Sequence, residues 1–321
     1  INPFHIYKIL TEDGTPADPK VTFNMHLKML ESFFKIVLAD APVDVIELIN
    51  NLVVETYERM GITENTDCSA FPADYFPLFS DLLETLKSKS KESMDDFTKR
   101  DMRMAELYLQ KFVTGRYSDI WNAPSTLKTD ANLIDFDFQS LFANKNNVVA
   151  NAQMLLIFRF IEQEVINARE RNKGGAHLKT LIIADEAHLY IDPKFPIALD
   201  FFYQMSKRIR KYNGSFLPAT QNIADWNATE ELRNKTSAII KNSQYLFIFK
   251  LSAPDMKDVL DVYKAGESFN EEEQRMIISA GTGQAFFVGS TELRACIKIK
   301  AGEFARSLFE EKKSEEEIEK C

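Results

Sequence analysis

The residues best suited to chemistry are two adjacent carboxylates, Asp185 and Glu186, which directly follow the apolar run Thr180–Ala184. A short apolar run predicts a β-strand, and in an open parallel sheet ligands lie beyond the carboxyl ends of the strands. There Asp185 would hold Mg²⁺ through water, and Glu186 would orient or deprotonate the water that attacks a phosphate. The alternative is a strand that merely ends in two solvated acids.

A second polar pair follows the next predicted strand, residues 215–219. Thr220 and Gln221 come directly after it, which would place them beside the two acids. The Gln221 amide can bond to a γ-phosphate oxygen and to the attacking water at the same time, so it is a candidate sensor. Thr220 is a candidate nucleotide contact. A polar loop with an Asx-type turn is the alternative, and Pro218, which cannot donate to a ladder, indicates a bulge or a strand end.

A cationic helix end lies between these two strands, at residues 207–211 (Lys-Arg-Ile-Arg-Lys). Three interpretations stay open. The cations stabilise the negative end of the helix dipole, they contact DNA phosphates, or Arg210 reaches the ATP of a neighbouring subunit as an arginine finger.

The phosphate-binding loop GxxxxGK[ST], whose amides and lysine hold the phosphates of ATP, does not occur in the sequence. The chain is therefore expected to carry the magnesium-binding and water-activating half of an ATP site. Without the main electrostatic clamp on the triphosphate, we expect it to hydrolyse ATP negligibly by itself.

Composition excludes several classes of protein. The net charge of -9 over 321 residues argues against a chain that coats nucleic acid. The three cysteines are far apart and form no CxxC pair, so neither a disulfide framework nor a zinc site is predicted. No apolar run approaches the roughly 18 residues that a membrane span needs. We expect a cytoplasmic protein that reaches a membrane only through its partners.

The pattern of apolar residues predicts two kinds of architecture. Apolar residues three and four apart predict helices over residues 23–113, and from residue 133 short strands alternate with long helices. We expect a strand at 133–138, a helix at 148–171, a strand at Thr180–Ala184 that is buried on both faces, a helix at 196–211, and strands at 215–219, 245–249, 284–288 and 295–299.

Several motifs in this order resemble the conjugative-transfer motor ATPases of type IV secretion systems, in the HerA and FtsK-like branch of P-loop ATPases. They are INPFHI at residues 1–6, GRYSDIWN at 115–122, LIIADEAH at 181–188, RKYNG at 210–214, ATQN at 219–222, GQAFFVG at 283–289 and AGEF at 301–304. The resemblance covers nearly the whole chain, and in the family the phosphate loop lies upstream of the NPF segment.

The resemblance implies an α/β fold: a RecA-like P-loop ATPase core, incomplete at its N-terminus, with an inserted all-α lobe. Residues 1–22 would be a remnant of the core, 23–120 the lobe, 121–309 the core with its Walker B and sensor motifs, and 310–321 a charged tail.

By the same resemblance, Asp185 takes the Mg²⁺ role, Glu186 the water role, Gln221 the sensor role and Arg210 the finger role. The intact protein would be a cytoplasmic ATPase at the inner face of the membrane, a hexamer or dimer that uses ATP and Mg²⁺ to power substrate transfer or pilus assembly. Its partners would be other secretion components and the coupling protein, with DNA contact left open. The alternatives are a DNA translocase or helicase on the same core, and a non-catalytic docking module.

Overall fold

The fold combines a helical region with two small β-sheets, as the computed structural model of the chain describes it. The described residues are 1–9, 11, 15–92, 95–127, 131–138, 141, 147–173, 179–191, 197–221, 223–227, 229–263, 268–290 and 292–309. The chain forms two compact units, Ile1–Ala219 and Thr220–Cys321. The domain boundaries drawn from the sequence stay predictions, and the predicted tail at 310–321 lies outside the described residues.

Helices build the first part of the first unit, as the apolar spacing predicts. They are α1 (Pro19–Val37), α2 (Val43–Arg59), α3 (Phe79–Lys89), α4 (Asp96–Val113) and the short α5 (Ser118–Trp121). Aspartates cap the N-termini of α1 and α4: the side chains of Asp18 and Asp95 accept hydrogen bonds from backbone N–H groups of the first turn. The apolar faces meet in an aromatic core, in which Phe33 contacts Trp121 edge-on at 5.1 Å and Phe79 stacks on Phe112 at 4.4 Å.

A two-stranded parallel sheet follows the long helix α6 (Asn147–Lys173). The strands are β1 (Thr180–Ala184) and β2 (Gly214–Pro218), in register from Thr180 with Gly214 to Ala184 with Pro218. The connection carries the 3-10 turn Ala187–Tyr190, helix α7 (Ile197–Arg208) and the 3-10 turn Ile209–Tyr212. Aromatic side chains connect α6, α7 and the sheet: the ring of Phe158 of α6 stacks on that of Phe201 of α7 at 4.4 Å, and the ring of Phe202 of α7 lies 5.2 Å from that of Phe216 of β2.

The second unit contains an antiparallel sheet. Its elements are the 3-10 turn Ala224–Asn227, α8 (Glu230–Asn242), β3 (Leu246–Ile248), α9 (Ala253–Tyr263), α10 (Glu271–Ile278), β4 (Gln284–Val288), β5 (Arg294–Lys298) and α11 (Glu303–Phe309). The strand order is β3-β4-β5. One face of the sheet packs on α9 and α10 through Ile248, Phe286 and Met256. Arg294 anchors the edge strand by a two-pronged, mostly buried ion pair with Glu273.

Two predictions about strands were wrong. Residues 133–138 form no strand, because their alternating side chains pack on neighbouring elements instead of joining a ladder: Phe136 contacts Phe160, and Phe138 contacts Tyr190. β1 is not buried on both faces, since Leu181 and Ile183 are 59% and 60% exposed. On that face, the described residues provide no second layer to cover the sheet.

The other predicted elements are confirmed, with ends shifted by a few residues. The helix predicted at 148–171 is α6, and strands appear at or near every other predicted position. Pro218 is the last residue of β2, where its missing N–H costs no ladder bond because the next amide, that of Ala219, continues the pairing.

A buried hydrogen-bond chain connects the N-terminal segment to the helical region. The Tyr57 hydroxyl donates to the Phe4 carbonyl at 2.6 Å, and His26 Nε2 lies 2.8 Å from the same hydroxyl. Because the single hydroxyl proton goes to Phe4, Nε2 of His26 must carry a proton and donate. Burial, followed by the charges of His5 and Arg159, lowers the pKa of His26 to about 3. The ring is therefore neutral at physiological pH.

Acidification is expected to destabilise the fold through His26. The unfolded chain takes up a proton near the ordinary pKa of 6.5, whereas the folded chain resists protonation down to a pKa of about 3. Stability that is present above pH 6.5 is therefore lost as the pH falls toward 3, by about 1.4 kcal/mol per pH unit from this residue. Urea unfolding at about pH 7, 6 and 5 measures the slope. His26→Gln, which can still donate to Tyr57, should reduce the slope by that amount, and an equal slope in both proteins would contradict the assignment.

Candidate functional site

The carboxyl ends of β1 and β2 are joined beyond the sheet itself. The Ala219 amide donates to the Ala184 carbonyl at 2.8 Å, and the Ala187 amide donates to the Ala219 carbonyl at 2.7 Å. These two bonds hold the backbone on both sides of Asp185 and Glu186 against the end of β2. The two acids therefore emerge at the edge where ligands lie in open parallel sheets, as the sequence predicts.

Glu186 has an unusual backbone conformation, with φ 47° and ψ 45°, in the left-handed region. For a residue with a Cβ this conformation costs about 1–2 kcal/mol. Two local hydrogen bonds stabilise this conformation. The Glu186 amide donates to Asp185 Oδ1 at 2.9 Å, and the Leu189 amide donates to the Glu186 carbonyl at 2.8 Å. Strain of this kind concentrates at functional sites.

His188 contacts the carboxylate of Glu186, with Nδ1 3.3 Å from Oε2. It lies in the 3-10 turn Ala187–Tyr190. In this position it can orient the Glu186 side chain.

The surroundings of Asp185 are acidic. Burial raises the pKa of the nearby Tyr190 phenol, and the carboxylates of Asp185, Asp135 and Asp137 raise it further. Three carboxylates around one phenol create a negative potential that favours a cation over an anion. The sequence does not single out Asp135 and Asp137, because their alternation with apolar residues predicts a strand.

The donor chemistry fits Mg²⁺ only in part. Magnesium is usually held by one or two carboxylates, water and substrate phosphates, and the exposed carboxylate of Asp185 can supply such a ligand. Within the described ranges, no group of three or more acidic, histidine or cysteine side chains could hold a metal by itself. The chemistry thus requires a phosphate ligand, for which this sequence has no GxxxxGK[ST] loop.

Arg210 lies at the other edge of the sheet. It belongs to the 3-10 turn Ile209–Tyr212, which leads into the amino end of β2, and it is exposed. Because β1 and β2 run parallel, the five residues of β2 separate this turn from the acids by about 13 Å along the strand. Arg210 is therefore not brought together with Glu186 in the same subunit.

Thr220 and Gln221 directly follow Ala219, whose backbone is bonded to β1. They are the first residues of the second unit, and Gln221 is exposed. Their roles stay predictions. The neighbouring Asn222 lies outside the described residues.

Comparison with solved structures gives a clear match for this arrangement. VirB4 of Thermoanaerobacter pseudethanolicus matches with a TM-score of 0.73 and 26% sequence identity, over 95% of this chain and 74% of that chain. The chain has a type IV secretion motor ATPase-like fold.

Other comparisons add little to this motor ATPase-like fold. The bacterial conjugative coupling protein TrwBdeltaN70 matches with a TM-score of 0.44 and 10% identity, over 86% of this chain and 69% of that chain, and we base no argument on so low a likeness. No protein-family model and no curated protein matches the chain. Among the described helices, none has both the length and the apolar character that crossing a bilayer requires.

Replacing Gly214 is expected to disturb the site from a distance. A Cβ at this position would lie 2.7 Å from the Ile209 side chain and 3.1 Å from the Thr180 carbonyl, so Gly214→Ala should push β2 away from β1. We expect a loss of about 1–3 kcal/mol in the free energy of unfolding. Gly302→Ala is the matched control, because a Cβ there meets nothing within 4 Å. Thermal and urea unfolding of both variants provide the measurement, and equal stability of the two would contradict the close approach.

Proposed function

We propose that this chain is part of an ATP-hydrolysing motor of a conjugative DNA-transfer or type IV secretion system, powering substrate transfer or pilus assembly. The observation that carries the proposal is the pair Asp185 and Glu186 at the carboxyl edge of a parallel sheet, in a chain with the fold of VirB4. The motor acts in the cytoplasm at the inner face of the membrane, where it associates with other secretion components and the coupling protein.

In this proposal the two acids have separate roles. Asp185 would hold Mg²⁺ through water, and the ion would supply neutralisation of the charge on the phosphates of ATP. Glu186 orients the attacking water and accepts its proton. The strained left-handed backbone of Glu186 and the closeness of His188 to its carboxylate support a positioning task.

Thr220 and Gln221 complete the site from the end of β2. Gln221 would bond to the γ-phosphate and to the attacking water, and Thr220 would contact the nucleotide. The bond from the Ala187 amide to the Ala219 carbonyl supports this assignment, because it fixes the backbone immediately before Thr220 next to the two acids.

Arg210 acts on a neighbour. Its place at the amino edge of β2 makes it unsuited to the ATP bound at its own Glu186, so the finger role requires a second subunit whose site it completes. The proposal therefore includes a homo-oligomer, a hexamer or a dimer. The 321 residues contain no GxxxxGK[ST] loop, so the chain by itself is expected to show negligible turnover.

The role of Glu186 can be tested by substitution in a protein that includes the phosphate loop. Glu186→Gln keeps the shape of the side chain but cannot accept a proton, so kcat should fall by about 10²–10⁴-fold while nucleotide binding persists. Magnesium-dependent phosphate release and binding of a fluorescent ATP analogue measure the two effects. Glu271→Gln, at an exposed residue of α10 that pairs with Arg275, is the control. Unchanged turnover and transfer with Glu186→Gln would favour a docking module instead.

The second prediction tests the finger in trans. Arg210→Gln and Glu186→Gln subunits should each be inactive, Arg210→Gln by about 10³–10⁵-fold. Mixed before assembly, they should regain about a quarter of the wild-type sites, since some interfaces combine an intact Glu186 with a neighbour's intact Arg210. ATP turnover against mixing ratio is the readout. Absence of recovery in assembled mixtures would place any role of Arg210 within its own subunit.

A further inference from the structure

A cavity of about 150 Å³ lies in the first unit, away from the edge that carries the two acids. It is open to solvent on part of its surface and is lined by residues 7–9, by helices α1, α6 and α7, and by Tyr212. A cavity of this volume holds one six-membered ring, because an apolar protein cavity of the same size binds benzene.

The floor of the cavity is apolar and adaptable. The buried side chains of Met29 of α1, Met205 of α7 and Val165 of α6 line it. Methionine side chains fill irregular space and make favourable sulfur contacts with ring edges. The floor therefore suits a flat apolar ring.

The rim is cationic in a chain whose net charge is -9. Lys8, Arg159 and Arg208 line the cavity; Arg159 already pairs with Glu162 at 2.9 Å, and Lys8 has an interaction of its own. His26 also lines it but is neutral, because burial lowers its pKa to about 3. Arg208 is exposed at the rim, and no ion pair of its side chain occurs with any described residue.

We propose that this cavity binds a small ring-bearing organic monoanion, whose ring rests on the methionine floor and whose carboxylate meets Arg208. An arginine fork matches the geometry of a carboxylate and holds it by charge-assisted hydrogen bonds. The ring is partly removed from water when it enters the pocket. The site is separate from the proposed ATP site and does not depend on that proposal.

Three ligands test separately whether binding depends on the ring and on the negative charge. Benzoate carries both the ring and the charge, benzamide has the same shape without the charge, and acetate has the charge without the ring. Saturation-transfer NMR and calorimetry at low salt give their affinities for the 321-residue protein. Benzoate should bind at least about tenfold more tightly than either analogue, since a hydrogen-bonded charge contributes about that factor.

Variants then locate the binding. Arg208→Gln should weaken benzoate about tenfold, and Met25→Phe should block it by filling the cavity from the half-exposed α1 position. Arg103→Gln, an exposed cation of α4 outside the cavity, should leave the affinity unchanged.

Three results would overturn the site. They are equal binding of benzoate and benzamide, benzoate binding that survives both cavity variants, and no benzoate signal up to roughly 10 mM, a weak limit even for so small a ligand. Unfolding curves of each variant confirm that a lost signal reflects the cavity rather than the fold.

Discussion

The pairing of β1 with β2, extended by two backbone hydrogen bonds beyond the strand ends, determines the rest of the site. The Ala219 amide bonds to Ala184 and the Ala187 amide bonds to Ala219. Asp185 and Glu186 lie between these two hydrogen bonds, and Glu186 adopts the left-handed conformation. The same bonds hold Ala219, the residue that follows β2, against the backbone on both sides of the acids. The position of the two acids at this edge therefore depends on backbone geometry.

The layers around the sheet keep that pairing in place. Phe216 of β2 contacts Phe202 of α7, and Phe201 of the same helix stacks on Phe158 of α6. On the face that packs against α7, aromatic side chains cover the sheet, whereas on the opposite face Leu181 and Ile183 are exposed. Parallel sheets are normally covered on both faces. The strand ends are therefore anchored from one side within the described residues.

The sequence predicts what local patterns determine. Three features could be predicted in this way: the apolar run of β1, the turn before β2, and the hairpin of β4 and β5. Each depends on the spacing of apolar residues or on turn residues, which are local in the sequence. Residues 133–138 have the same alternation, yet Phe136 and Phe138 pack on other elements, and only tertiary structure decides between a ladder and such packing. The placement of Asp135 near Tyr190 and the backbone of Glu186 likewise depend on contacts distant in sequence. The place of Arg210 at the opposite edge follows from strand direction, which no single motif contains.

The most direct test of the central claim is the affinity for Mn²⁺ with bound nucleotide, measured by electron paramagnetic resonance on a protein that includes the phosphate loop. If the end of β1 presents Asp185 to the metal through water, Asp185→Asn should weaken Mn²⁺ binding by about 10–100-fold. Asp135→Asn removes a charge that also acts on Tyr190 and should have a much smaller effect. Unchanged Mn²⁺ affinity in Asp185→Asn, or an equal loss in both variants, would contradict the account.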